Sequence, residues 1–174
     1  SPIIWGYEAD HPFNEQARAI SSSGLSFRLA PGTATWRSFS GRWNTAQANL
    51  KSAVDSARIH QAEGILLTSW GDCGNHQPWS TFYPPLFFAA QLAWTGRETE
   101  SKELYSAIDR KSFGGEESGY AQWICDFGLL DSIIESEIPN TSLSWDLLFN
   151  PRPKIRNEFL RKKISKKNLE AGLE

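Results

Sequence analysis

Three times within its first eighty residues the chain passes from a short apolar stretch straight into a loop dense with aromatic, polar, proline and glycine residues. The first passage is Ser1-Pro2-Ile3-Ile4-Trp5-Gly6-Tyr7-Glu8-Ala9-Asp10-His11-Pro12 and the second Leu25-Ser26-Phe27-Arg28-Leu29-Ala30-Pro31-Gly32-Thr33-Ala34-Thr35-Trp36. The third is Leu66-Leu67-Thr68-Ser69-Trp70-Gly71-Asp72-Cys73-Gly74-Asn75-His76-Gln77-Pro78-Trp79. A continuous apolar run suits a parallel strand buried on both faces. Abrupt polarity at its end suits a strand that delivers side chains to a site. Three such endings imply one shared site at the carboxyl ends of three adjacent parallel strands, in the order first, second, third.

The intervening segments carry helical signals. Apolar Phe13, Ala17 and Ile20 predict a short helix over 13–23 that Gly24 ends. Asn44 is expected to cap a helix reaching about residue 61, with Ala46, Leu50, Ala53, Val54 and Ala57 on one face. Gly64 punctuates entry to a strand over 65–69. A helix over 84–94 is apolar nearly all round, as a helix packed between layers would be. Alternating strands and helices predict a parallel α/β sheet with right-handed crossovers. Beyond Gly96 the rhythm stops: 98–111, 118–135 and 154–169 read as helices, and no further strand is expected. The expected division is residues 1–96 for the βα units and 97–174 for a helical extension.

A chain of 174 residues, 40% of them apolar, can bury a substantial core. Its net charge of -2 offers no general attraction to phosphate, so nucleic-acid binding would require a local basic patch. The one candidate, 154–167, interleaves its basic residues with Ile155, Phe159, Leu160 and Ile164. It reads as an amphipathic helix with a solvated basic face, and no nucleic-acid partner is expected. No apolar run approaches the roughly 18 residues of a membrane span, and the N-terminus lacks the regions of a signal peptide, so no membrane partner is expected either. Cys73 and Cys125 are too few for a disulfide scaffold and identify no compartment. The absence of methionine and the opening at Ser1 directly into a strand signal lead us to expect a piece of a longer polypeptide.

Three parallel strands alone leave unpaired backbone on both outer edges. The expected fold class is therefore α/β, the C-terminal part (about three βα units, strands six to eight) of a (β/α)8 TIM barrel followed by a helical tail. A doubly wound sheet would place a glycine-rich phosphate turn after the first strand, which Trp5-Gly6-Tyr7-Glu8 is not.

The strand-end residues suggest sugar recognition, because indole faces stack on sugar rings and nearby polar groups take the hydroxyls. Trp5, Trp36 and Trp70 are the candidate platforms; Glu8, Asp10, Thr33, Asp72 and His76 are the candidate polar contacts. The same residues have structural uses, the aromatics as core packing and the carboxylates as helix caps or partners of Arg37 or Arg42. Asp10, His11, Asp72 and His76 have the chemistry of metal ligands, but no tight motif joins them, and neither a metal nor another cofactor is expected. No Gly-x-Ser-x-Gly elbow occurs, and Cys73 reads as a small packing residue.

Over about its first 95 residues the chain resembles the C-terminal part of the catalytic barrel of family 20 glycoside hydrolases, the β-N-acetylhexosaminidase type. The words that carry the resemblance are Trp5-Gly6-Tyr7-Glu8-Ala9-Asp10-His11-Pro12, Pro31-Gly32-Thr33-Ala34-Thr35-Trp36 and Thr68-Ser69-Trp70-Gly71-Asp72. The most specific is Trp70-x-Asp72, which in the family walls the sugar subsite and accepts hydrogen bonds from sugar hydroxyls. The resemblance implies retaining hydrolysis of N-acetylhexosamine glycosides, with the substrate's acetamido oxygen as nucleophile and an Asp-Glu pair on the fourth strand. No adjacent Asp-Glu pair occurs in this chain, so alone it is expected to be inactive and to supply only a wall of the pocket. The chain also carries Phe27 and Arg28 on the strand where the family usually offers a Tyr to the acetamido group. A non-catalytic carbohydrate-binding α/β module and a purely structural α/β domain are the alternatives. A carbohydrate is the expected partner, together with self-association through exposed strand edges.

Overall fold

The computed structural model describes residues 1–115, 118–133 and 138–149. The helix expected over 154–169 lies outside the described residues. The structure is mixed α/β, built on a three-stranded parallel sheet in the order β1 (Ile3–Trp5), β2 (Arg28–Ala30) and β3 (Gly64–Ile65). Ile4 lies opposite Leu29, and Leu29 opposite Ile65. Pairing outlasts β3: the Leu66 N–H donates to the Leu29 carbonyl at 2.8 Å, and the Thr68 N–H to the Pro31 carbonyl at 2.9 Å. Residues 64–68 thus track β2 along most of the stretch expected as a strand.

Both crossover helices, α1 (Phe13–Ser22) and α2 (Trp43–Ile59), pack on one face of the sheet, where Ile4 and Leu29 meet Phe13, Ala17, Ala53 and Ala57. Among the described residues the opposite face has no layer over it. Ile3, Trp5 and Leu66 are 48%, 64% and 49% exposed, so the runs that the sequence presents as buried on both faces are buried on one.

The expected apolar face of α2 is buried from Ala46 to Ala57, but the expected Asn44 cap is not used. The helix begins one residue earlier at Trp43, whose N–H donates to the Gly128 carbonyl at 3.0 Å, while the Arg42 N–H donates to the Ala34 carbonyl. Tertiary partners satisfy amides that a side-chain cap would otherwise serve.

After a 3-10 turn at Trp79–Phe82 come α3 (Tyr83–Thr95), α4 (Ser101–Ile108) with a π turn at Asp109–Phe113, α5 (Tyr120–Phe127), α6 (Leu130–Ile133) and α7 (Leu143–Phe149). Helix α3 does not lie between layers: Phe88, Ala89 and Leu92 are buried, whereas Leu86 is half exposed and Trp94 is 90% exposed. The single helix expected over 118–135 breaks after Phe127, where Gly128 abuts Trp43 and the Ser40 carbonyl. Buried Asp109 fastens α5 to α4, its two carboxylate oxygens accepting the Gly119 and Ala121 N–H groups at 2.9 Å each. One apolar core joins Trp43, Ala46, Leu50 and Val54 of α2 to Leu104, Ile108, Ala121 and Cys125, across the boundary expected at residue 96. No helix among the described residues is long and apolar enough to cross a membrane.

Candidate functional site

The three loops meet at the carboxyl ends of the strands because Asn49 of α2 ties them together. Its buried amide nitrogen donates to the Gly6 carbonyl at 3.1 Å and to the Glu8 carbonyl at 2.8 Å, while its oxygen accepts the Gly32 N–H at 3.0 Å. Glycine is required where these loops close. A β-carbon on Gly6 would sit 2.2 Å from the His11 ring, and one on Gly32 2.6 Å from the Trp36 ring.

Tyr7 is the hub of the aromatic residues. It packs edge-on against Trp36 at 5.1 Å, and lies 5.5 Å from Trp5 and 6.0 Å from Trp70 between ring centroids. Trp36 is 1% exposed, so it supports Tyr7 from below and offers no face of its own. Trp5 and Trp70 are 64% and 45% exposed and form the open part of the cluster. Beneath them, Thr33 donates to Ser69 at 2.8 Å, and Thr35 lies 2.9 Å from Thr33 and 3.2 Å from Ser69. Thr33 is buried in this hydroxyl network, which links the loops after β2 and β3.

The expected polar contacts divide into engaged and free groups. Arg42 donates to both oxygens of Glu8, at 2.9 and 3.3 Å, and the Asn140 N–H adds a third bond at 2.7 Å. Glu8 therefore holds the frame, in the ion-pair role its sequence context allowed. His76 accepts the Trp145 indole N–H through Nδ1 at 3.1 Å and stacks on Phe149 at 4.4 Å. With Nδ1 accepting, the neutral ring carries its proton on Nε2. Asp72 and Asp10 are exposed, and neither accepts a hydrogen bond among the described residues. Asp72 sits in a tight turn in which the Gly74 N–H donates to the Gly71 carbonyl.

Residues 138–149 form a strap across this end of the sheet. The Ser142 N–H donates to the Arg37 carbonyl at 2.9 Å, Arg37 pairs with Asp146 at 3.5 Å and stacks over Trp145 at 4.8 Å, and Asn140 and Trp145 reach Glu8 and His76. A cavity of about 680 Å³ lies along β1 and α1, with Ile3, Trp5, Tyr7, Glu8, Ile20 and Asn140 among its lining residues. Its volume suits a small ligand. Asn140, which lines it, keeps a side-chain oxygen without a hydrogen-bond partner among the described residues.

Tyr7, Arg42, Asn49 and Asn140 are absent from the expected site. Tyr7 alone had a readable signal: it follows Ile3 and Trp5 at the two-residue spacing that puts side chains on one side of a strand. Cys125 is no nucleophile, because burial pushes its thiol up to about 12 despite a hydrogen bond with Tyr105. Among the described residues no three His, Cys, Asp or Glu gather as a metal site needs. No protein family's sequence profile matches the chain, and no curated protein matches it.

Proposed function

We propose that this chain forms one wall of a carbohydrate pocket, as the C-terminal βα units of a barrel similar to those of family 20 glycoside hydrolases. The observation that carries this reading is the aromatic cluster at the strand ends: Trp5 and Trp70 exposed on either side of Tyr7, with Asp72 exposed in the turn beyond Trp70 and without a partner among the described residues. Exposed indoles beside a free carboxylate suit the two chemistries of a sugar, its apolar ring face and its hydroxyls. The topology supports the barrel component. Sequential parallel strands with both crossover helices on one face, and an opposite face bearing Ile3, Trp5 and Leu66 that the described residues leave open, are compatible with the layering of a barrel wall.

On this reading Trp70 and Trp5 stack on the sugar, Asp72 accepts its hydroxyls, and Glu8 with Arg42 keeps the β1 loop in place. The general acid and the carboxylate that orients the acetamido group belong to the fourth strand of the barrel. The chain alone then has no proton donor positioned for the glycosidic oxygen and is inactive. Engagement of Glu8 by Arg42 favours the alternative of a non-catalytic binding module, since it removes this partly exposed carboxylate from acid-base work.

Titration of the purified chain with N-acetylglucosamine oligosaccharides, followed by tryptophan fluorescence, tests the reading. Saturable binding that Trp70→Ala weakens about tenfold and Asp72→Ala weakens by a similar factor is expected. Absence of saturable binding, or affinity indifferent to both substitutions in folded protein, overturns it. An encoding gene with an Asp-Glu pair after an apolar run upstream of these residues favours the enzyme over the module.

A further inference from the structure

Asp72, the polar contact assigned to the sugar, only accepts hydrogen bonds when ionised, so it offers nothing to the lone pairs of a sugar oxygen. Ser69 opens the same loop and is exposed, whereas the two hydroxyls it meets, Thr33 and Thr35, are buried. Their contacts fix where the protons lie. Thr33 donates to Ser69 at 2.8 Å. A hydroxyl has one proton to give, so Thr33 accepts in its 2.9 Å contact with Thr35. Thr35 has then given its own proton, and Ser69 is the donor in their 3.2 Å contact. The longest bond of this ring is the one donated by its exposed member.

We propose that Ser69 is a further contact of the sugar site, giving its proton to a ligand oxygen, and that Thr33 positions it. This rests on the reading of the strand ends as a carbohydrate site. An acceptor oxygen arriving from solvent has only the 3.2 Å bond to displace, while the two shorter bonds remain. A hydroxyl that accepts a bond becomes a better donor, so the run from Thr35 through Thr33 polarises the proton at the open end.

Ser69 is also in place before a ligand comes. The Thr33 N–H donates to the Thr68 carbonyl at 2.9 Å and the Thr68 N–H to the Pro31 carbonyl at 2.9 Å, which ties the backbone leading into Ser69 to the buried β2 loop. Such preorganisation lowers the ordering cost of binding. A donor at Ser69, the indole of Trp70 and an acceptor at Asp72 match the three chemistries of a sugar: oxygens that accept, an apolar ring face and hydroxyls that donate. Thr33, which the sequence offers as a direct contact, acts one hydrogen bond removed from the ligand.

Titration with N-acetylglucosamine oligosaccharides, followed by tryptophan fluorescence, tests this contact apart from the sugar reading. In folded protein, Ser69→Ala is expected to weaken binding about fivefold and Thr33→Val about threefold, with Thr33→Ser, which keeps the hydroxyl, restoring the affinity of the unmodified chain. The double variant Ser69→Ala, Thr33→Val is expected to bind no more weakly than Ser69→Ala alone, because Thr33 acts only through Ser69. Saturable binding that Trp70→Ala weakens and Ser69→Ala leaves unchanged overturns the proposal while the sugar reading stands. Additive losses in the double variant overturn the positioning role of Thr33. Absence of saturable binding by the unmodified chain overturns the sugar reading and this contact with it.

Discussion

From Pro31 to Trp36 every residue of the loop after β2 is buried, whereas from Ser69 to His76 every residue of the loop after β3 is exposed. Both loops follow parallel strands, both carry hydroxyls, glycine and tryptophan, and they share a hydrogen-bond network through Thr33, Thr35 and Ser69. What separates them is what lies above. Asn49 holds the first loop from inside, and the strap at residues 138–149 lies on it through Arg37. The strap reaches the second loop at its end, through His76. The difference assigns the β2 loop to the frame and the β3 loop to the face that can meet a ligand. Residue composition at a strand end does not distinguish these roles.

The largest test of that division removes the tie. Asn49→Ala leaves the Gly6 and Glu8 carbonyls and the Gly32 N–H without their partner, three groups at about 1–3 kcal/mol each before relaxation. A loss of about 4 kcal/mol in chemical denaturation is expected. A loss under 1 kcal/mol would mean that water serves these groups and that the frame does not depend on α2.

The two cysteines sample the two environments. Cys73 is exposed in the β3 loop, and Cys125 is buried beside the frame with its thiol raised to about 12 by burial. Alkylation of the native protein near pH 8 is expected to label Cys73 at least a hundredfold faster, which peptide mapping resolves. The same shift sets a sign for stability. A thiol held protonated by folding stabilises the native state fully below its ordinary value near 9 and loses that contribution as pH rises from about 9 to about 12. Substitution of Cys125 by Ala should flatten the alkaline limb of the stability profile in that interval.

Arg42→Met is expected to cost about 2 kcal/mol, less than Asn49→Ala, because Glu8 keeps the Asn140 N–H and its carboxylate is 30% exposed to water. Its signature is local: amide exchange at Asn140 and Ser142 should accelerate as the strap loosens from the frame. Intact protection of the strap in a folded Arg42→Met protein would separate the strap from Glu8.

The smallest effect belongs to the open loop. Asp72→Ala should move the thermal midpoint by less than about 2 °C, since no described residue depends on that carboxylate. A larger shift would place Asp72 in the frame and weaken the sugar-binding proposal with it.

Legibility from sequence followed the range of the interaction. The helix at Phe13–Ser22 and the buried face of α2 stood in the apolar spacing, because helical periodicity reports which side of one element meets the core. The start of α2 was misplaced at Asn44, because the amides at its true start are satisfied by Ala34 and Gly128, the second of these 85 positions away from Trp43. The outer surface of α3 was misread as buried because hydropathy describes residue type and not the neighbour that covers it. Trp5, Trp36 and Trp70 were equally visible as aromatics at strand ends, yet Trp36 is buried beneath Tyr7 and the other two are open.

The sequence by itself determined the alternation of strands and helices, the parallel order of the strands, and the gathering of aromatic and polar residues at their carboxyl ends. These depend on spacing within a few tens of residues and on the constraint that a crossover returns the chain in the same direction. Only the tertiary structure decided which of those residues hold the loops and which stand free. Glu8 is committed by Arg42 and, across 132 positions, by the Asn140 N–H, and His76 by Trp145 across 69. Such pairings depend on where distant segments close over the sheet, and a carboxylate or an imidazole carries the same local pattern whether its partner is a guanidinium, an indole or a sugar.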